Sequence, residues 1–151
     1  MWFYGLAGSG KTFASSYISS KLLRKVILID GDKVRKYIST DLGYSLKERK
    51  TQVNRILGIC KLSIESNLFP IASTVYLDEK ILKKIDKLKI CCVRINRDIK
   101  KIKSIRKIYT DNKNVVGKDI KLNKLKTINI INKGDKNFCK ELSKLVKRIN
   151  I

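Results

Sequence analysis

Gly5-Leu6-Ala7-Gly8-Ser9-Gly10-Lys11-Thr12 satisfies the pattern G-x-x-x-x-G-K-S/T, the signature of a phosphate-cradling loop. It stands where such a loop works, between a short apolar run, Trp2 to Tyr4, and a stretch that reads as a helix from about Lys11 to Leu23. Glycines let the backbone curl so that successive N–H groups face phosphate oxygens, and the helix that follows adds the positive end of its dipole. Gly5, Ala7, Gly8, Ser9, Gly10, Lys11 and Thr12 are therefore the candidate ATP-binding residues. Lys11 is expected to reach the β- and γ-phosphates, and the Thr12 hydroxyl to ligate Mg²⁺.

Outward from this loop, strands and helices alternate. Lys25-Val26-Ile27-Leu28-Ile29 is a β-branched run that stops at Asp30-Gly31-Asp32, as a buried parallel strand ending in a polar turn does. Asp32 is placed to cap the helix after it. Ser45 opens a longer helical pattern through Glu65, polar at its start and apolar at its end. Phe69 to Ser73 and Lys89 to Ile95 read as two further strands around a basic helix near Asp78 to Leu88, and Arg97 to Tyr109 reads as a strongly basic helix. A last strand at Thr127 to Ile131 and a closing helix at Lys136 to Ile149 complete the chain. The alternation predicts a three-layer α/β/α fold with a mostly parallel sheet, the P-loop kinase arrangement, in one domain over residues 1–151.

In an open parallel sheet ligands collect beyond the carboxyl ends of the strands, which sets Asp30 and Asp32 beside the loop-held phosphates. One of the two is suited to orient Mg²⁺ or its waters. The other is suited to accept a hydroxyl proton during phosphoryl transfer. The plain alternative is an Asp-Gly turn with a helix cap, and it can hold for one of the pair.

The 151 residues carry 35 Lys plus Arg against 13 Asp plus Glu, a formal net charge of +22. The lysines are spread from Lys21 to Lys147, so the bias is general and nucleic acid is not expected as the main partner; the field equally attracts small phosphorylated molecules. Cys60, Cys91, Cys92 and Cys139 form no C-x-x-C pair and the chain has no histidine, which removes the usual mixed zinc sites. They read as reduced, mostly buried thiols. No run approaches the roughly 18 to 20 apolar residues of a membrane span, and the amino terminus lacks a secretory pattern, so a cytoplasmic protein without membrane contact is expected.

The loop, Ile29-Asp30-Gly31-Asp32-Lys33-Val34-Arg35, Asp41-Leu42-Gly43-Tyr44-Ser45 and Arg49 stand in the order and spacing of adenylylsulfate (APS) kinases, and the chain resembles that family over most of its length. Lys107-Ile108-Tyr109 and Lys113 to Ile120 resemble its lid, so a lid over about 97–120 is expected. The resemblance implies transfer of the γ-phosphoryl group of MgATP to the ribose 3′-hydroxyl of a nucleotide bearing an activated 5′-phosphate, by a protein that forms a homodimer. Asp32 matches the acid that handles the acceptor hydroxyl, and Asp30 its neighbour near substrate and metal. Arg35 and Arg49 match the arginines that hold the substrate's tetrahedral oxyanions, work that suits a guanidinium fork. Tyr44 matches the aromatic that stacks on the acceptor base, Lys113 lies in the loop that closes over it, and Arg106 is a lid cation able to reach ATP.

Departures from the family fall on the acceptor side. Gln52 stands where asparagine is usual, and Val115 stands where the lid offers a phenylalanine to complete an aromatic sandwich around adenine. Losing one stacking face removes about 1 to 3 kcal/mol. The sequence is thus compatible with a branch whose acceptor is another activated nucleotide, for instance cytidine diphosphoramidate of capsule biosynthesis. A nucleotide-hydrolysing regulator shares the loop but needs a water-positioning residue and switch segments not found here. A basic nucleic-acid-binding module and an inert nucleotide-binding module are the remaining alternatives.

Overall fold

Trp2–Tyr4 (β1) is the middle strand of the sheet, and all three of its residues are completely buried. The computed structural model describes residues 1–104, 109 and 113–149. Along the chain it places Lys11–Ser19 (α1), Val26–Asp30 (β2), Gly31–Tyr37 (α2), Leu46–Glu65 (α3), Phe69–Thr74 (β3), Glu79–Lys87 (α4), Cys92–Asn96 (β4), Ile99–Lys103 (α5), Ile128–Ile131 (β5) and Lys136–Ile149 (α6). The five strands lie in the order β2-β3-β1-β4-β5, and every pairing is parallel.

Side chains alternate across a strand, so β1 feeds both layers. Trp2 and Tyr4 join Val53, Ile56, Leu57 and Cys60 of α3 and Ile81 and Ile85 of α4. Phe3 joins Ala14 and Ile18 of α1 and Phe138, Leu142, Leu145 and Val146 of α6. Each fully buried apolar side chain contributes on the order of 1.5 to 3 kcal/mol, which commits both faces of the sheet to helices and makes three layers. The α3 stripe recurs at helical spacing, and a capping box fixes its start: the Ser45 hydroxyl accepts from the Glu48 N–H while the Glu48 carboxylate accepts from the Ser45 N–H.

Several boundaries differ from expectation. The first helix ends at Ser19, and Leu23 is 98% exposed. The fourth strand starts at Cys92 because Lys89 takes a left-handed turn (φ 54°) and Ile90 closes it. The basic helix expected over Arg97 to Tyr109 is α5, Ile99–Lys103, followed by a turn at Ser104; Tyr109 is described as helical, while 105–108 lie outside the described residues. Of the four thiols, Cys60 and Cys92 are buried, Cys139 is half-buried and Cys91 is exposed, since Cys91 lies just before β4. Burial pushes Cys60 and Cys92 up to about 12, which keeps both protonated.

Strand β1 leads to β2 on one side, beyond β3, and β3 leads to β4 on the other. This reversal opens a crevice at the carboxyl ends of β1 and β3.

Candidate active site

The phosphate-binding loop leaves β1 through Gly5 (φ 152°) and turns at Gly8 (φ 81°) and Gly10 (φ 103°), values that exclude most side chains. A Cβ at Gly5 would stand 2.3 Å from the Ile95 carbonyl oxygen, so the loop's entry also requires glycine for space. The Lys11 ammonium donates to the Gly5 and Leu6 carbonyls at 3.0 and 2.8 Å, wrapping the loop around its own lysine.

Asp30 ends β2 and uses its two oxygens differently. Oδ1 caps α2 by accepting from the Asp32 and Lys33 N–H groups at 2.9 and 3.4 Å. The cap expected at Asp32 therefore belongs to Asp30, because the helix begins at Gly31 and the cap must precede it. Oδ2 accepts from the Thr12 hydroxyl at 3.2 Å and the Ser73 hydroxyl at 3.4 Å. Asp32, in the first turn of α2, is exposed and lines the same cavity. Gly31 between them passes close to β3, where a Cβ would come within 2.8 Å of the Ser73 carbonyl oxygen.

The cavity has a volume of about 660 Å³, and it joins Gly8, Gly10, Lys11 and Thr12 at one end to Arg35, Tyr44, Arg49 and Gln52 at the other. The two guanidinium carbons lie 4.5 Å (Arg35) and 5.4 Å (Arg49) from the centre of the Tyr44 ring. Arg35 donates to the Leu42 and Gly43 carbonyls at 3.1 and 2.5 Å, and Arg49 to those of Tyr44 and Asn114 at 3.0 and 2.7 Å. Among the described residues neither makes an ion pair with a carboxylate. Burial, reinforced by the neighbouring Arg35, lowers the Arg49 pKa from its ordinary value, while Tyr44 and Asp32 act in the opposite sense. Two adjacent cations without carboxylate partners among the described residues suit this end of the cavity to anionic groups.

Gln52 is 95% buried, with 5% relative exposure, and donates its amide N–H to the Gly31 carbonyl at 3.0 Å, tying α3 to the acidic turn. Of the segment expected to form a lid, Arg97, Val115 and Val116 are on the cavity wall. Lys113 is exposed and is not part of that wall, and Arg106 lies outside the described residues. Sequence reasoning missed Ser73, whose position opposite Asp30 follows only from the pairing of β2 with β3, and Asn132, a buried side chain after β5 that donates to the Ser9 carbonyl at 2.8 Å.

The family model described as adenylylsulphate kinase matches residues 1–113. An adenylyl-sulfate kinase of Shewanella amazonensis is 33% identical over 78 residues, 50% of this chain and 39% of that protein. One of Prochlorococcus marinus is 29% identical over 119 residues, 72% of this chain and 59% of the relative. The chain thus spans under two fifths of the first curated relatives it matches, 39% and 38% of their lengths. Among solved structures, the APS kinase of Mycobacterium tuberculosis in complex with AMPPNP and APS aligns with a TM-score of 0.86 at 18% identity, covering 99% of this chain and 96% of that one. With the loop, the acidic turn and the Arg35–Tyr44–Arg49 cluster all inside the matched residues, the chain belongs to the adenylylsulphate kinase family.

Proposed function

We propose that residues 1–151 form one kinase domain, with a lid over about 97–120, that transfers the γ-phosphoryl group of MgATP to the ribose 3′-hydroxyl of a nucleotide carrying an activated 5′-phosphate. The observation that carries this reading is one cavity that has the phosphate loop at one end, two arginines without a carboxylate partner among the described residues at the other, and Asp32 on its wall. The loop N–H groups, the α1 dipole and Lys11 bind and align the donor's anionic tail, and Asp32 takes the acceptor's proton as its oxygen attacks. Arg35 and Arg49 orient the acceptor through its anionic groups, and Tyr44 carries its base. Cavity closure by the lid excludes water, which favours transfer over hydrolysis.

Magnesium fits the residues present. Thr12, Asp30 and Ser73 offer an oxygen-only set around Asp30 Oδ2, and Mg²⁺ is commonly held by one carboxylate, waters and the nucleotide's phosphates rather than by a protein cage. When bound, the ion neutralises charge building on the transferred group.

Two acceptors suit this reading, adenylyl sulfate and cytidine diphosphoramidate. Val115, an aliphatic residue on the cavity wall, gives an adenine no second ring to stack against, and this favours a pyrimidine nucleotide. Single-turnover phosphorylation of both compounds by the same enzyme decides between them: faster use of cytidine diphosphoramidate is expected, and equal or better use of adenylyl sulfate refutes the pyrimidine reading. Transfer to neither, with labelled phosphate released to water, refutes the kinase reading. A homodimer is proposed from the family resemblance, and sedimentation tests it.

A further inference from the structure

Among the described residues, each carbonyl from Gly5 to Ser9 accepts a hydrogen bond from a side chain. Lys11 serves Gly5 and Leu6, Arg97 serves Gly8 at 3.2 Å, the Tyr109 hydroxyl serves Ala7 at 3.0 Å, and the Asn132 amide serves Ser9 at 2.8 Å. A trans peptide unit points its carbonyl and the next N–H in opposite directions. Holding the Ala7 and Ser9 carbonyls on the outside of the loop therefore turns the Gly8 and Gly10 N–H groups the other way, and both glycines lie on the cavity wall.

Tyr109 and Asn132 differ from Lys11 and Arg97 in that neither lines the cavity, and they are 4% and 7% exposed. Each is itself held. The Tyr109 ring packs with Ile102, Val115, Leu6 and Ala7. The Asn132 side-chain oxygen accepts from the Gly134 N–H at 2.9 Å, which sets its amide so that the NH₂ faces Ser9, and its backbone N–H donates to the Asn96 carbonyl at 2.7 Å. Asn132 sits so close that a Cβ at Gly10 would come within 2.3 Å of its amide nitrogen.

We propose that Tyr109 and Asn132 are positioning residues for the donor site: they hold the outward carbonyls of the phosphate loop and so aim its amides at the ATP phosphates without touching ATP. The proposal rests on the donor-site reading above. It ties the loop at two points to elements far away in sequence, the lid and the turn between β5 and α6. Because the effect is on the amides alone, it acts on any polyphosphate, whatever base or sugar is attached.

Magnesium tripolyphosphate is the direct probe, measured by calorimetry alongside MgADP on the wild type, Tyr109→Phe and Asn132→Ala. Losing one net hydrogen bond that aims the loop should weaken both ligands about three- to tenfold in each variant, with the acceptor KM at saturating ATP unchanged. A purely structural role would lower the melting temperature and leave the tripolyphosphate Kd in place. Tyr109→Phe keeps the ring packing, so it carries the test if Asn132→Ala does not fold. A tripolyphosphate Kd within twofold of wild type in Tyr109→Phe overturns the proposal. Failure of the wild type itself to bind tripolyphosphate instead overturns the donor-site reading, and the proposal with it.

Discussion

Replacing Asp30 separates two jobs that one carboxylate performs. Oδ1 caps α2 through the Asp32 and Lys33 N–H groups, while Oδ2 receives the Thr12 and Ser73 hydroxyls where magnesium is proposed to bind. Asparagine caps about as well as aspartate, whereas alanine removes the cap at about 1 kcal/mol. For a chain of this length that energy corresponds to a fall in Tm of about 2 to 4 °C. Asp30→Ala should show this fall, and Asp30→Asn should stay within about 1 °C of wild type. Both variants lose the negative charge beside Thr12. Removing a preorganised charge of this kind costs about 3 to 4 kcal/mol in the transition state, so kcat should drop by a factor of 10² to 10³ in both. Thermal denaturation without nucleotide and coupled ADP release at saturating MgATP measure the two effects. If Asp30→Asn keeps kcat within fivefold, or lowers Tm as much as Asp30→Ala, the division of labour between the two oxygens is wrong.

Asp32→Asn should lower kcat by about two orders of magnitude with the MgADP Kd unchanged within threefold, since Asp32 sits on the cavity wall outside the loop; a normal kcat rejects its role as base. Arg49→Lys preserves charge but loses the fork, and should raise the acceptor KM about tenfold while the ATP KM stays put, as initial-rate kinetics would show. In a chain that begins at Met1 the terminal amine is buried, donates to the Pro70 carbonyl at 2.7 Å, and is pulled down by burial from 8.0 to about 6. The unfolded chain then binds more protons between those values, so stability rises with pH, by about 1.5 to 2 kcal/mol from pH 5.5 to 7.5. With no histidine to confuse the profile, urea denaturation at the two pH values checks this, and a flat or falling stability refutes it.

Val26 to Ile29 is legible as a buried strand because it is a β-branched run that stops at a polar turn, and the alternation of strands with helices along the chain implies a mostly parallel sheet. The α3 boundaries were readable because Ser45 and Glu48 are the local chemistry of a helix start. Cys92 as the start of β4 was hidden, since Lys89 and Ile90 look as strand-like as their neighbours until the left-handed turn breaks the run. The assignment of the cap to Asp32 failed for a similar reason: Asp30 and Asp32 are equally good caps in composition, and only the backbone shows where the helix begins.

The loop from Gly5 to Thr12, the acidic turn and the arginine spacing are legible in the chain alone, because each is a local pattern whose chemistry depends on neighbours a few residues away. Which distant groups serve them is set by folding. Ser73 reaches Asp30 across the pairing of β2 with β3, and Tyr109 and Asn132 hold a loop about a hundred residues earlier in the chain. Such contacts leave no periodicity or spacing in the sequence; they arise when the packing of two layers onto one sheet brings the ends of its strands together.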